Sequence, residues 1–245
     1  MLTRAKSVAA ERPKRFYTTA ESGPVDGGAG VLLDGRHVRT PAGTRMTLPT
    51  SALALQVAAE WAAQGEHIVL SDMLATRLAF TAIDRAADAR QEVAAEIAVR
   101  AGADVVCYFA EGPDSLVALQ ATYWGPILEW AAEDLGLELV QVFGLTHRPQ
   151  PEASIERVKT LALERSDFEL TGLVNAAGLF GSAILALALQ RGRLGGQAAF
   201  DLSRLDEAFQ EERWGVDEEA ALRSAGLRTE AVMLERWFRA LSRPS

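Results

Sequence analysis

The sequence predicts an α+β fold, in which a small N-terminal antiparallel β domain precedes a larger, mainly α-helical domain. Before residue 49, β-branched and apolar residues occur in short runs separated by glycine, proline and Asp-Gly, which is typical of short strands joined by tight turns. After residue 49, apolar residues recur every three or four positions, with capping residues before the runs and glycines after them. We therefore assign residues 1–48 to a β-rich domain and residues 49–245 to a helical domain.

Strand and turn signals define the β-rich domain. The segment from Arg15 to Thr19 is aromatic and β-branched and predicts a first strand, while the glycines between Gly23 and Gly30 predict a mobile loop. Asp34-Gly35 lies between two apolar runs and predicts a two-residue hairpin turn, because such a turn requires a positive φ at both central positions. Three or four strands this short bury too little surface to be stable alone, so we expect the sheet to pack on the helices.

Helical periodicity and capping residues predict the elements of the second domain. The predicted helices are residues 50–65, residues 71–102 with a break near Asp84, and residues 114–135, 151–165, 167–177, 181–191, 198–213 and 217–241. The run from Leu137 to Phe143 alternates between apolar and polar residues and predicts one further strand. We expect Trp61, Trp124 and Trp130 to lie in the core.

The charge and hydropathy of the chain limit its partners. Its formal net charge is -8 at pH 7, so nucleic acid and anionic lipid would repel it, and a charged partner surface is expected to be basic. No stretch approaches the roughly 20 apolar residues of a membrane-spanning helix, so we expect no membrane insertion. Residues 1–13 are rich in basic residues but have no apolar stretch, so we interpret them as a flexible basic arm, with an organellar transit peptide as the alternative.

Residues that commonly carry chemistry are sparse. His37, His67 and His147 lie in separate predicted segments without partners at ligand spacing, so we expect no metal site. The single cysteine, Cys107, lies in an apolar run and is expected to be buried. The glycine cluster at residues 27–30 precedes a strand, whereas a phosphate-binding loop precedes a helix. We therefore expect no catalytic residue and no cofactor, and the sequence disfavours an enzyme.

Clustered carboxylates leave one enzymatic alternative open. Acidic pairs occur at Glu111/Asp114, Glu133/Asp134 and Glu211/Glu212. The helices of an acidic protein present such pairs on solvated faces without any catalytic role. The alternative is a small-molecule hydrolase or transferase that uses these carboxylates, and it would require a concave site containing a strongly perturbed acid.

The predicted helix at residues 198–213 carries the most informative surface. Its apolar stripe consists of Leu202, Leu205, Ala208 and Phe209, and the opposite face consists of Ser203, Glu207, Gln210 and Glu211. Trp214 would continue that polar face, and an exposed tryptophan among carboxylates is typical of a binding hot spot. In the alternative arrangement, Gly215 bends the chain and Trp214 packs against the last helix.

The residues resemble a known family over about residues 13–225. The chain is similar to the assembly chaperones of the F-type ATP synthase that are specific for the α subunit, which occur in mitochondria and α-proteobacteria. The matching pieces are Lys14-Arg15-Phe16-Tyr17, Leu33-Asp34-Gly35-Arg36, Leu48-Pro49-Thr50, Glu60-Trp61 with Gln64, Asp104 with Cys107-Tyr108, Gln120 with Trp124, Pro126 and Trp130, and Leu205-Asp206-Glu207 with Phe209-Gln210, Trp214-Gly215 and Asp217-Glu218-Glu219. One departure is that the helix expected after Met73 lacks the Met-Pro start of the family, which affects its capping.

The resemblance implies a client and a site. Members bind the unassembled α subunit of the catalytic sector without nucleotide, mask the interface it will form, and release it to the β subunit. The resemblance implies Glu207, Gln210, Trp214, Gly215, Asp217 and Glu218 as partner-binding residues. The predicted polar face adds Glu211 to this set. We expect a protein that is monomeric when free and works in the bacterial cytoplasm, or in the mitochondrial matrix if the source is eukaryotic.

Overall fold

The structure, a computed structural model of the chain, describes residues 13–144, 146, 148–215 and 217–242. Most of the predicted basic arm and His147 lie outside these residues. Within them, a small antiparallel sheet is followed by a largely helical region, which confirms the predicted α+β class.

The N-terminal sheet contains three strands in the order β1-β2-β3, with β1 at Ala20–Val25, β2 at Gly28–Leu33 and β3 at Arg36–His37. Both pairings are antiparallel. The turn between β2 and β3 has φ of 47° at Asp34 and 77° at Gly35, which confirms the predicted hairpin.

Two predictions for this region are wrong. The glycines between Gly23 and Gly30 do not form a mobile loop, because Gly23, Gly28 and Gly30 lie in β1 and β2 and Gly27 lies in the tight turn that joins these strands. The backbone passes so close to its neighbours there that a Cβ atom on Gly28 would lie 2.4 Å from the carbonyl oxygen of Leu48. The segment 15–19 is not a strand, since it is held by the Asp34 carboxylate, which accepts hydrogen bonds from the N–H groups of Thr18 and Thr19.

Ten α-helices and two short strands follow the sheet in the described part of the chain. They are α1 (Ser51–Ala62), α2 (Leu74–Asp84), α3 (Ala86–Ala101), β4 (Tyr108–Phe109), α4 (Asp114–Leu135), β5 (Val142–Phe143), α5 (Glu152–Leu163), α6 (Asp167–Phe180), α7 (Ala183–Gln190), α8 (Gly196–Ser203), α9 (Leu205–Trp214) and α10 (Glu218–Leu241). The strand predicted from Leu137 is shorter than expected, because only its last two residues pair, in parallel, with β4.

The start of α2 is capped by a neighbouring helix. Its N-cap residue, Met73, makes no side-chain cap hydrogen bond. Instead, the Glu60 carboxylate of α1 accepts hydrogen bonds from the N–H groups of Ala75 and Thr76 at 2.8 and 2.7 Å. The first turn of α2 is thus capped by an acceptor 15 residues earlier in the chain.

One hydrophobic core joins the sheet to the helices. β1 and β2 pack against α1, and the short helix α7 is buried over almost its whole length. Trp61, Trp124 and Trp130 are buried as predicted, and so is Cys107. The division into domains at residues 48 and 49 stays a prediction, because strands and helices on both sides of this boundary share the core.

The last helix, α10, has two different halves. Its second half packs on α1, α6 and α8 and buries Leu234, Trp237 and Phe238. Its first half is largely exposed and lies beside α9 and α4 around an open groove. Among the described residues, no helix combines the length and apolar character that a membrane span requires.

Candidate functional site

The predicted helix at residues 198–213 is two helices, because the backbone leaves helical geometry at Arg204 with φ of -117° and ψ of 20°. Because of this break, the apolar and polar faces predicted for one continuous helix do not hold over its whole length. Leu202 ends in the core with α8, and Ser203 is also buried and donates to the carbonyl of Phe200. Ala208 is exposed, so the apolar stripe does not continue into the core along α9.

Polar contacts attach α9 to α4. The Asp206 carboxylate accepts a hydrogen bond of 2.7 Å from the side-chain amide of Gln120, and Arg213 donates to the Ser115 hydroxyl at 3.1 Å. Gln120 is fully buried, and its amide oxygen accepts from the N–H of Ala110 at 2.8 Å. A satisfied buried amide therefore holds α9 in place.

Asp206 was assigned no role by the sequence-based prediction. Partial burial raises the pKa of its carboxyl above the usual value, the hydrogen bond from Gln120 lowers it, and the neighbouring charge of Glu207 raises it. The sequence gives a weak signal for the role of Gln120, because this residue lies one turn before the buried Trp124 on the core side of a predicted helix. We regard Asp206 and Gln120 as positioning residues for α9.

Three predicted site residues follow one side of α9. At about 100° per residue, Glu207 and Trp214 lie roughly 80–100° around α9 from Asp206, and Gln210 lies between them and Asp206. Trp214 is 79% exposed, so it does not pack against the last helix. Trp237, an aromatic residue of that helix, stacks on Phe168 instead.

The remaining site residues form the connection to α10. Gly215 ends α9 with φ of 89°, a conformation that favours glycine. The Asp217 carboxylate caps α10 by accepting from the N–H of Ala220 at 2.9 Å, and Glu218 lies in the first turn of the helix. Acidic groups at this end of a helix are stabilised by its dipole, so part of the negative charge here has a structural role.

We name this region the α9 surface, and its members are Glu207, Gln210, Glu211, Trp214, Gly215, Asp217 and Glu218. The surface contains a mostly solvent-exposed aromatic side chain beside several carboxylates. One carboxylate, that of Glu207, is paired with Arg204 at 3.2 Å. In the described residues no three potential ligands cluster around a possible metal position. The arrangement is suited to binding a macromolecular surface, with the tryptophan as the apolar anchor.

A groove adjoins the α9 surface and shares two of its residues. It has a volume of about 750 Å³ and is lined by residues of α4, α8, α9 and α10 and by Leu194 and Arg204. Glu207 and Glu211 are the two predicted site residues that line it. We call this cleft the α9 groove.

Comparisons with known proteins match almost the whole chain. The sequence profile of a family described as ATP12 chaperone protein matches residues 14–132. The structure of Atp12 from Paracoccus denitrificans is 38% identical, with a TM-score of 0.86, and the match covers 93% of this chain and 98% of that chain. The Atu1473 protein of Agrobacterium tumefaciens is also 38% identical, with a TM-score of 0.87, over 94% of this chain and 87% of that chain. The mitochondrial protein atp12 of Schizosaccharomyces pombe is 24% identical in an alignment of 220 residues that covers 84% of this chain and 75% of the relative.

Proposed function

This chain belongs to the ATP12 chaperone family, and we propose that it serves the assembly of the F-type ATP synthase by binding the unassembled α subunit of the catalytic sector. It is a chaperone and not an enzyme, in agreement with the name of the family. In this proposal the chaperone covers the surface that the α subunit later presents to its β neighbours, and the β subunit displaces it.

The exposure of Trp214 is the observation that carries the proposal. A tryptophan that is 79% exposed keeps a large apolar area in contact with water. In protein interfaces such side chains contribute disproportionately to binding, especially where polar groups surround them. The location of Trp214 beside Glu207, Gln210 and Asp217 supports the α9 surface as the place where the client binds.

The charge of the α9 surface favours a basic client face. Of the seven residues of the α9 surface, four are acidic, and the whole chain is acidic as well. Opposite charges accelerate the encounter of two proteins and exclude partners of the wrong sign. We therefore propose that the α subunit presents basic residues at the contact.

Binding would protect the client by mass action. A partner that binds the folded monomer and not its aggregates stabilises the monomer by about 2.7 kcal/mol when its free concentration is 100 times the dissociation constant. The interface between α and β subunits is permanent, and permanent interfaces are larger and more apolar than transient ones. Competition by the β subunit is thus sufficient for release, without nucleotide.

We further propose that the free chaperone is a monomer. It would work in the cytoplasm of a bacterium, as the solved relatives come from bacteria, or in the mitochondrial matrix of a eukaryote, as the curated relative is mitochondrial. As an assembly factor it should be absent from the finished ATP synthase.

Capture of purified α subunit by the immobilised chaperone tests the proposal. Glu207→Lys reverses a charge on the α9 surface and breaks only an exposed ion pair with Arg204, which contributes about 0–1 kcal/mol to stability. We expect this variant to keep its melting temperature within a few degrees and to lose capture. Glu133→Lys makes the same charge change at an exposed position of α4 outside the α9 surface and should capture normally. Normal capture by both variants would refute the site, and absence of capture by the wild type would refute the function.

A further inference from the structure

The α9 groove is a second surface of α9, separate from the side that presents Gln210 and Trp214. Leu119, Tyr123 and Pro126 of α4 line it together with Leu205 and Ala208 of α9. Tyr123 is 50% exposed and Ala208 is also exposed, so this apolar lining is open to solvent. An open apolar groove of about 750 Å³ bordered by charged side chains is suited to receiving an apolar side-chain row of a partner.

Some charged side chains at the edge of the groove form ion pairs within the chain, and one does not. Arg204 lies 3.2 Å from Glu207, and Arg228 lies 3.0 Å from Asp201, so both arginines are paired within the chain. Glu211 also lines the groove and has no ion-pair partner among the described residues. The groove therefore presents one unpaired, partly buried negative charge, which a basic residue of the occupant would match.

The lining of the groove also limits the conformation of its occupant. The groove residues come from α4, α8, α9 and α10 and from Leu194 and Arg204, and none belongs to a described strand. An extended segment would find no strand edge here to pair its backbone, and unpaired buried N–H and C=O groups are costly. An α-helix satisfies its own backbone hydrogen bonds and needs only a matching apolar face.

We propose that the α9 groove binds an amphipathic α-helix of the client, with its apolar face on Tyr123, Leu205 and Ala208 and a basic residue beside Glu211. The identity of the client rests on the function proposed above. The chaperone then holds its client at two places on α9, with Trp214 on the outer side and the helix in the groove.

Synthetic peptides test the groove independently of the client. The probe is a fluorescent 15-residue amphipathic helix with a leucine face flanked by lysines. A second peptide has glutamates in place of the lysines, and a third has the composition of the first with its leucines at alternating positions, which suits an extended chain. Fluorescence anisotropy with the full chain gives the three dissociation constants. We expect the basic helix to bind at least tenfold more tightly than either of the others.

Substitutions then locate the binding. Ala208→Trp fills the groove and should weaken the basic helix at least tenfold, while Ala132→Trp adds the same side chain at an exposed position of α4 outside the groove and should not. Glu211→Gln should reduce the preference for the lysine peptide over the glutamate peptide and provides a second variant if Ala208→Trp does not fold. Equal affinity for all three peptides, or binding that survives both groove substitutions, would overturn the inference.

Two other outcomes identify a different occupant. If the wild type self-associates in sedimentation and Ala208→Trp abolishes it, the groove is a contact between copies of this chain and the inference is wrong. If the wild type and Ala208→Trp capture the α subunit equally well, the groove is not used and the proposed function stands. If the peptides rank as expected but no α subunit is captured, the proposed function fails and the specificity of the groove stands.

Discussion

Replacement of Trp214 by alanine should weaken client binding strongly and leave the fold intact. A tryptophan side chain buries about 200 Å² when fully covered, and the 79% exposure of Trp214 leaves about 160 Å² available for a partner. At about 25 cal/mol per Å², this area corresponds to at most ~4 kcal/mol. Alanine retains part of the contact, so we expect the binding free energy to weaken by about 3 kcal/mol. This corresponds to a dissociation constant that is roughly a hundredfold higher.

The assay is the dissociation constant for purified α subunit, measured together with the urea unfolding of the chaperone. Because Trp214 is mostly solvent-exposed, Trp214→Ala should change the free energy of unfolding by less than about 0.5 kcal/mol. Phe16→Ala is the matched control, since Phe16 is 74% exposed but is not part of the α9 surface. An affinity for the Trp214→Ala variant within threefold of the wild type would refute the reasoning, and so would an equal loss for Phe16→Ala.

Two predictions concern the stability of the fold. Burial raises the pKa of Asp104 to about 6 from an ordinary value of 3.8, so its stabilising contribution is complete below pH 4 and is lost as the pH rises through 6, a change of about 3 kcal/mol. The difference between the urea unfolding free energies of the wild type and Asp104→Asn should follow this course from pH 4 to 7, and a flat difference would contradict it. Gly172→Ala should destabilise by about 1–3 kcal/mol, because its Cβ would lie 2.7 Å from Nε1 of the buried Trp237. Gly226→Ala, at an exposed position of α10 where no neighbouring atom lies within 4 Å of the added Cβ, should instead stabilise by about 0.5–1 kcal/mol, and equal effects of the two would exclude the clash.

Much of the helical region could be predicted because its ends carry local signals. The predicted and observed bounds of α4 agree at both ends, where Pro113 precedes the helix, Asp114 begins it and Gly136 follows it with φ of 68°. Ser166 forms a capping box with Glu169 at the start of α6, which was predicted from residue 167. Signals of this kind act within a few residues, and a sequence therefore displays them directly.

Features that depend on distant contacts could not be predicted. The break at Arg204 has no proline or glycine to mark it, so the apolar periodicity suggested one continuous helix. The glycines of β1 and β2 look like a loop in the sequence. At Gly28 the reason for a glycine is the close approach of Leu48, which only the folded chain brings there.

The candidate site shows the same limit. Whether Trp214 is exposed depends on the direction that the chain takes at Gly215, and a glycine leaves that direction open. The hydrogen bond between Asp206 and Gln120, which orients α9, joins residues 86 positions apart. A contact over this distance produces no periodic pattern in the sequence. Sequence patterns and the family resemblance could name the segment that contains the α9 surface, whereas the adjoining groove became visible only in three dimensions.

The packing of α10 on α1 also constrains how this protein is made. The hydroxyl of Thr50, which caps α1, donates a hydrogen bond to the carbonyl of Ala240 in α10. The side-chain amide of Gln56 in α1 contacts the sulfur atom of Met233 in α10. A ribosome delivers α1 early and the second half of α10 about 180 residues later. During that interval the surface of α1 that α10 will cover is exposed to other nascent chains. A protein that shields an unfinished assembly therefore passes through an unshielded stage of its own, which ends only after residue 240 has left the ribosome.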